Sequence, residues 1–244
     1  METMWIEAAT TGVAAAAGAM GYAVRGKSST VFAPSVYHGD RSRPSIALTF
    51  DDGPSESTPA LLEILAEHKV PATFFMCGKN VRRCASIAKA VAAAGHEIGN
   101  HTDSHPRLDF HSPEFIYGEL ALAQETIRKA TGVQPRLFRA PYGVRWYGLK
   151  SAQERLKLQG VMWTVIGRDW RWRAGRVSRL ILRHASNGAI VCLHDGRAVE
   201  RTPDIRSTLE AVEYVIPILK DRGFQFETVS QILCPQNSSP ASLP

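Results

Sequence analysis

The sequence predicts one α/β domain built on a parallel sheet, and two observations carry that expectation. Short apolar runs of strand character alternate with segments of helical spacing along most of the 244 residues, the pattern that βα units produce. The residues capable of chemistry fall just after those runs, at the carboxyl ends of the predicted strands, where a β/α barrel gathers its functional groups. Periodicity alone leaves a closed barrel and an open sheet as alternatives.

The elements follow in chain order. Residues 45–50 read as a buried strand. Residues 57–68 carry Leu61, Leu62, Ile64 and Leu65 at helical spacing behind Ser and Thr caps, and residues 72–76 form the next apolar run. An Ala-rich helix is predicted over 81–94, a strand over 97–99, a long helix over 113–131 and a short strand at 137–138. The alternation continues with a helix near 148–158, a strand over 161–165, a helix near 176–185 and a strand over 189–193. A helix over 202–222 is expected to bend or break near Pro217, before a last strand around 224–228.

Two motifs suggest a metal site. Thr49-Phe50-Asp51-Asp52-Gly53-Pro54 places adjacent carboxylates at the end of a strand, where alternation would send them in different directions, one toward a metal and one toward a proton. The Gly-Pro turn predicts that the pair is exposed. His101-Thr102-Asp103-Ser104-His105 separates two imidazoles by four residues, which on a helical turn puts both on one face. Asp52, His101 and His105 then make three ligands with a position left for water, a set that suits catalytic zinc and also iron, cobalt or nickel. Taken singly, each motif is also compatible with an ordinary turn or a surface helix.

With these residues, the chain resembles the polysaccharide deacetylases of carbohydrate esterase family 4 over about residues 44–233. The resemblance implies a distorted barrel of about seven strands, a general base at Asp51, and a metal held by Asp52, His101 and His105. Arg139-Ala140-Pro141-Tyr142-Gly143 resembles the family's Arg-x-Pro-aromatic motif, implying that Arg139 pairs with the base and that a backbone N–H near Tyr142 faces the oxyanion. Asp169-Trp170 matches the fourth motif, with Ile166 where an upstream Asp is common, and His194 matches the general acid, held by Asp169. Cys192 stands where Leu is common in the slot for the acetyl methyl. The residues expected to line the substrate site are Tyr142, Trp170, Cys192 and Leu193. The implied reaction is metal-dependent removal of N-acetyl groups from amino sugars of peptidoglycan, a chitin-like polymer or a surface glycan. Hydrolysis of another amide or an O-acetyl ester, and a non-catalytic carbohydrate-binding descendant, are the alternatives.

The remainder of the chain bears on location and partners. Residues 8–24 are about as long as the shortest membrane-spanning helix, ~17 residues, but consist largely of Ala, Gly and Thr. An anchor, a weak signal and a packed or peripheral helix are all compatible with them. Glu2 and Glu7 precede this stretch and Arg25 and Lys27 follow it, the reverse of a secretory signal, and an anchor so flanked would leave the domain cytoplasmic. A cell-envelope or membrane-associated location is the leading expectation, with cytoplasmic as the alternative. The net charge of +6 favours acidic partners, and Arg168, Arg171 and Arg173 interleave with Trp170 and Trp172. No nucleic-acid-binding motif is present. The four cysteines, Cys77, Cys84, Cys192 and Cys234, lack zinc-ligand spacing and do not suggest a disulfide scaffold; most are expected to be buried thiols. Residues 1–43 read as an N-terminal segment, 44–233 as the catalytic domain and 234–244 as a flexible tail.

Overall fold

The computed structural model describes residues 2–234, with side chains from Gly12 onward. The predicted tail beyond Cys234 lies outside them. Nine parallel strands form one curled sheet in the order β1-β6-β5-β4-β3-β2-β8-β7, with β9 pairing the start of β2. The strands are β1 Ser35–Val36, β2 Ser45–Asp51, β3 Thr73–Met76, β4 Glu97–Asn100, β5 Leu137–Phe138, β6 Gln159–Val161, β7 Val165–Ile166, β8 Ala189–His194 and β9 Gln225–Phe226. This is the distorted barrel that the resemblance implies. The predicted strand over 161–165 is two strands: β6 pairs β5 and β1, while β7 pairs β8. Thr164, between them, stitches the open edges, its N–H donating to Ile190 O at 2.9 Å and its hydroxyl to Tyr37 O at 2.7 Å.

Helices α2 Thr58–Glu67, α3 Gly78–Arg83, α4 Ala85–Ala93, α5 Pro113–Thr131, α6 Leu149–Leu156, α7 Ala174–His184 and α8 Arg206–Asp221 accompany the strands. The predicted Ala-rich helix is thus split at Cys84. Pro217 lies inside α8 without ending it. The pleat sorts β2 cleanly. Ile46, Leu48 and Phe50 face the helices with Val191 and Leu193, whereas Ala47 faces the barrel interior with Phe75, Leu137, Val161 and Ile190. The short helix α9, Val229–Leu233, seals the bottom of that interior with Val229 and Ile232. Above this apolar plug the inward positions of β2 turn polar, at Thr49 and Asp51, which places buried polar groups at the upper end of the barrel.

The first helix, α1 Glu2–Arg25, is exposed from Gly12 to Tyr22, and its last turn is packed through Ala23 and Val24. Among the described residues no helix is long and apolar enough to cross a membrane. The chain after α1 is tied to the barrel by Arg145, which is buried. Its N–H donates to Val24 O at 3.0 Å, its Nη1 to Ser29 O at 2.7 Å and its Nη2 to Gly26 O. With β1 paired to β6, the barrel therefore begins upstream of residue 44, the expected boundary.

Candidate active site

One cleft of about 690 Å3 opens at the carboxyl ends of the strands, lined by Asp51, Asp52, His101, His105, Tyr142, Trp163, Ile166, Trp170, Cys192 and His194 among others. The two carboxylates are 3% and 6% exposed, so the expected solvent-facing pair is instead buried at the cleft floor. Their divergence comes from a backbone change, since Asp51 ends β2 in extended form and Asp52 has φ +73°, a left-handed conformation that Asp tolerates better than most residues. Glycine is required next: a Cβ on Gly53 would collide with the Asp195 carboxylate.

Asp51 is held by Arg139, a fully buried side chain. Arg139 Nη1 donates to Asp51 Oδ1 and to Thr49 Oγ1, both at 2.7 Å, Nε to Val161 O at 3.3 Å and Nη2 to Met162 O at 3.1 Å. The guanidinium also lies 4.1 Å from the centre of the Phe75 ring, a cation–π contact. Its planar set of donors fixes the carboxylate's orientation in a way that a lysine would not.

Asp52 Oδ1 lies 3.2 Å from His101 Nε2 and 2.9 Å from His105 Nε2. The histidines are not on a helical turn as expected. They occupy a loop in which Thr102 and His105 have φ of +65° and +60°. Asn100 Oδ1 accepts from Thr102 N–H, Thr102 Oγ1 accepts from His105 N–H, and Glu119 of α5 accepts from the N–H groups of Asp103 and Ser104. His101 Nδ1 faces the Arg139 carbonyl at 2.7 Å. That oxygen only accepts, so the proton belongs on Nδ1 and Nε2 offers a bare lone pair toward a carboxylate oxygen. Acceptors so close repel unless a proton or cation lies between them. The donor set and this convergence fit a divalent metal.

His194 sits across β2 from the metal-ligand group, in register with Asp51. Its Nδ1 is 2.9 Å from Asp169 Oδ1, and Asp169 Oδ2 accepts from His194 N–H at 2.9 Å and from Thr208 Oγ1 at 2.6 Å. Burial pushes the imidazole pKa down, yet the charge and hydrogen bond of Asp169, with Asp52 and Asp51 behind it, push it up to about 9. Asp169 itself lies below the ordinary carboxyl value: burial raises it, and the His194 charge, together with hydrogen bonds from His194 and Thr208, outweighs that.

Among the residues expected to meet substrate, Tyr142 and Trp170 are exposed and stand edge-on to His105 and His194, each at 4.8 Å. In the turn 141–143, Gly143 and Val144 donate to Ala140 O and Pro141 O. Cys192 faces the cleft, its Sγ 3.4 Å from Asp51 Oδ2. Leu193 does not reach the cleft. It occupies the next pleat position on β8 and packs with Val191 and Val177 in the core behind the sheet. Residues that sequence reasoning missed are Asn100, Glu119, Thr208 and Asp195. Asp195 is buried behind Gly53, accepts from Thr58 Oγ1 at 2.7 Å, and is pushed up to about 7, chiefly by burial.

The polysaccharide deacetylase family model matches residues 38–161, and the chain is 37% identical over 197 residues to the chitooligosaccharide deacetylase of Bradyrhizobium sp., spanning 77% of this chain and 90% of that protein. The chain belongs to the polysaccharide deacetylase family. It is also 35% identical over 189 residues to a peptidoglycan-N-acetylglucosamine deacetylase of Listeria monocytogenes, covering 77% of this chain and 38% of that one. Among solved structures, a carbohydrate esterase family 4 pseudoenzyme from Bacillus anthracis aligns with TM-score 0.75 at 30% identity, over 82% of this chain and 69% of its own. A barrel of this kind thus also occurs in a protein described as a pseudoenzyme. Here Asp51 with Arg139, His194 with Asp169, and the Asp52, His101 and His105 group converge in one cleft.

Proposed function

We propose that this polysaccharide deacetylase hydrolyses the acetamide of an N-acetylated amino sugar within a glycan, using one divalent ion, Zn2+ by preference, held by Asp52, His101 and His105. Co2+, Ni2+ and Fe2+ share the donor preference. The observation that carries the reading is the register pairing of Asp51 with His194 across β2 and β8, beside the Asp-His-His group. When bound, the ion supplies Lewis acidity to the acetamide carbonyl and charge stabilisation to the tetrahedral oxyanion.

The chain's own residues supply proton transfer and orientation. Asp51, fixed by Arg139, accepts the proton of the attacking water through Oδ2. His194 Nδ1 is committed to Asp169, so Nε2 is the nitrogen that donates to the leaving amine. A raised imidazole pKa keeps that proton in place at neutral pH. Cys192 and Ile166 offer the acetyl methyl an apolar wall, and Trp170 and Tyr142 offer faces for sugar rings.

The rim supports a glycan that carries carboxylate or phosphate groups. Arg25, Arg168, Arg171 and Arg197 all line the cleft. Arg197 donates to the carbonyls of Gly196, Asp169 and Asp204, and Arg168 lies 5.3 Å from the Trp172 ring, which leaves their charge available. Acetate release from purified peptidoglycan, chitooligosaccharides and acetylated xylan, with and without a chelator, tests the reading. Chelator-sensitive acetate from an N-acetylated glycan is expected; acetate from xylan alone would favour ester hydrolysis, and none from any polymer would defeat the proposal.

A further inference from the structure

Asp51, Cys192 and His194 each offer a ligand atom, and these atoms lie within 4.8 Å of one another. All three are inward positions at the ends of adjacent strands, Asp51 in register with His194 and Thr49 with Cys192. Asp51 and His194 each have their second polar atom already braced. Arg139 occupies Asp51 Oδ1, which leaves Oδ2 facing the Cys192 sulfur at 3.4 Å. Asp169 occupies His194 Nδ1, which leaves Nε2, and an imidazole oriented through its far nitrogen by a carboxylate is the usual support of a metal-bound histidine. Oxygen, sulfur and nitrogen donors converging with room for a fourth ligand describe a thiophilic site.

We infer that the cleft takes a second ion of the Zn2+ or Cd2+ class on Asp51, Cys192 and His194, separate from the group of Asp52, His101 and His105, and that this ion inhibits the enzyme. Without metal the thiol is held protonated, by burial first and by the Asp51 charge next to it. Binding therefore forms the metal–sulfur and metal–nitrogen bonds as the thiol proton and the Nε2 proton of the His194 imidazolium leave to solvent, two protons per ion at neutral pH. The ion takes the free oxygen of the base and the free nitrogen of the acid, so both proton-transfer groups are blocked together. Cys192 decides the matter, because Asp51 and His194 alone make only a two-ligand set.

Cadmium titration of the metal-stripped protein tests this, with stoichiometry from equilibrium dialysis and the ultraviolet thiolate-to-cadmium band as readouts. The background is Cys234→Ser, because Cys234 is exposed and would contribute its own signal. A second equivalent that brings up the band is expected, with both lost in Cys192→Leu. Cys192→Ser, which preserves volume and removes the soft donor, is expected to lose the band as well, and covers the case in which the leucine variant fails to fold. A single equivalent without a band, or a band that persists in either variant, overturns the site. Zn2+ beyond one equivalent is expected to inhibit the parent at concentrations at least tenfold below those needed for Cys192→Ser; equal sensitivity overturns the inhibitory role. That half rests on the proposed hydrolysis. Absence of turnover on every glycan sinks the hydrolysis reading alone, while the cadmium band still decides the site.

Discussion

Asp169 grips His194 twice, through the imidazole Nδ1 and through the backbone N–H of the same residue, both at 2.9 Å. One carboxylate thus sets the ring's tautomer, its charge and the position of the chain that carries it. Thr208 from α8 completes the hold at 2.6 Å, which connects His194 to the helical layer.

Asp169→Asn should move the alkaline limb of the pH profile of kcat/KM downward. His194 donates only when protonated, and it is protonated below about 9, so the activity of the parent falls as pH rises through that range. Without the Asp169 charge, burial pulls the imidazole back down and the limb moves toward acid; a bound dication opposes the smaller contributions of Asp51 and Asp52 but not this one. A loss in kcat of roughly 10²-fold or more is expected. An unchanged limb would remove Asp169 from its role.

The same group gives a stability signature. The His194 pKa is higher in the folded chain than its ordinary 6.5, so the folded state binds the extra proton and gains stability that is fully present below about pH 6.5. That gain is lost as pH rises through about 9. Urea melts of the metal-free protein between pH 6 and 10 should show the decline, and His194→Gln should flatten it.

Arg139→Leu should cost about 3–5 kcal/mol of folding stability, because it leaves the buried Asp51 charge without a partner. Arg139→Lys keeps the charge but cannot reach Thr49, Asp51, Val161 and Met162 together. It should fold better than the leucine variant and still lose most of its kcat. Denaturant midpoints beside turnover separate the two effects.

Glu119→Ala should weaken metal binding by roughly 10–100-fold, as expected when a group supporting the ligand loop is removed. Glu119 touches no ligand side chain; it orders the loop between them. Competition with a chromophoric chelator measures the affinity, and an unchanged constant would show that the loop holds its shape without α5.

Metal removal should lower thermal stability. At a free ion concentration 1,000-fold above its Kd, binding contributes about 4 kcal/mol, on the order of 10 °C in Tm for a domain of this size. Melts with and without chelator should differ by that order, and Asp52→Asn should abolish most of the difference.

The parts of this protein that were legible in its sequence are those with local causes. The long α5 begins behind Ser112, whose Oγ accepts from Phe115 N–H, and its apolar spacing is unambiguous. The Asp-Asp and His-x3-His motifs name their ligands by residue type alone. What was not legible depends on partners distant in sequence or on backbone choices that spacing does not encode. A spacing of four from His101 to His105 suits a helix, but Glu119 and Asn100 hold the segment as a loop. The side of β8 on which Leu193 falls follows from the pleat once Cys192 is known to face inward. Two-residue strands such as β1, β7 and β9 are too short for any period.

The way Arg145 is buried bears on how this domain is handled at the bench. Trimming the chain to the stretch recognised as family, from residue 38 on, would strip the guanidinium of the Gly26 and Ser29 carbonyls and take Ala33 out of the apolar cluster it shares with Leu108, Ile116 and Leu120. The same cut removes the strand beside β6 and takes Arg25 from the cleft. A fragment chosen by homology would therefore misfold or turn over poorly for reasons unrelated to its catalytic groups, and the shortest faithful version of the enzyme starts no later than the last turn of α1.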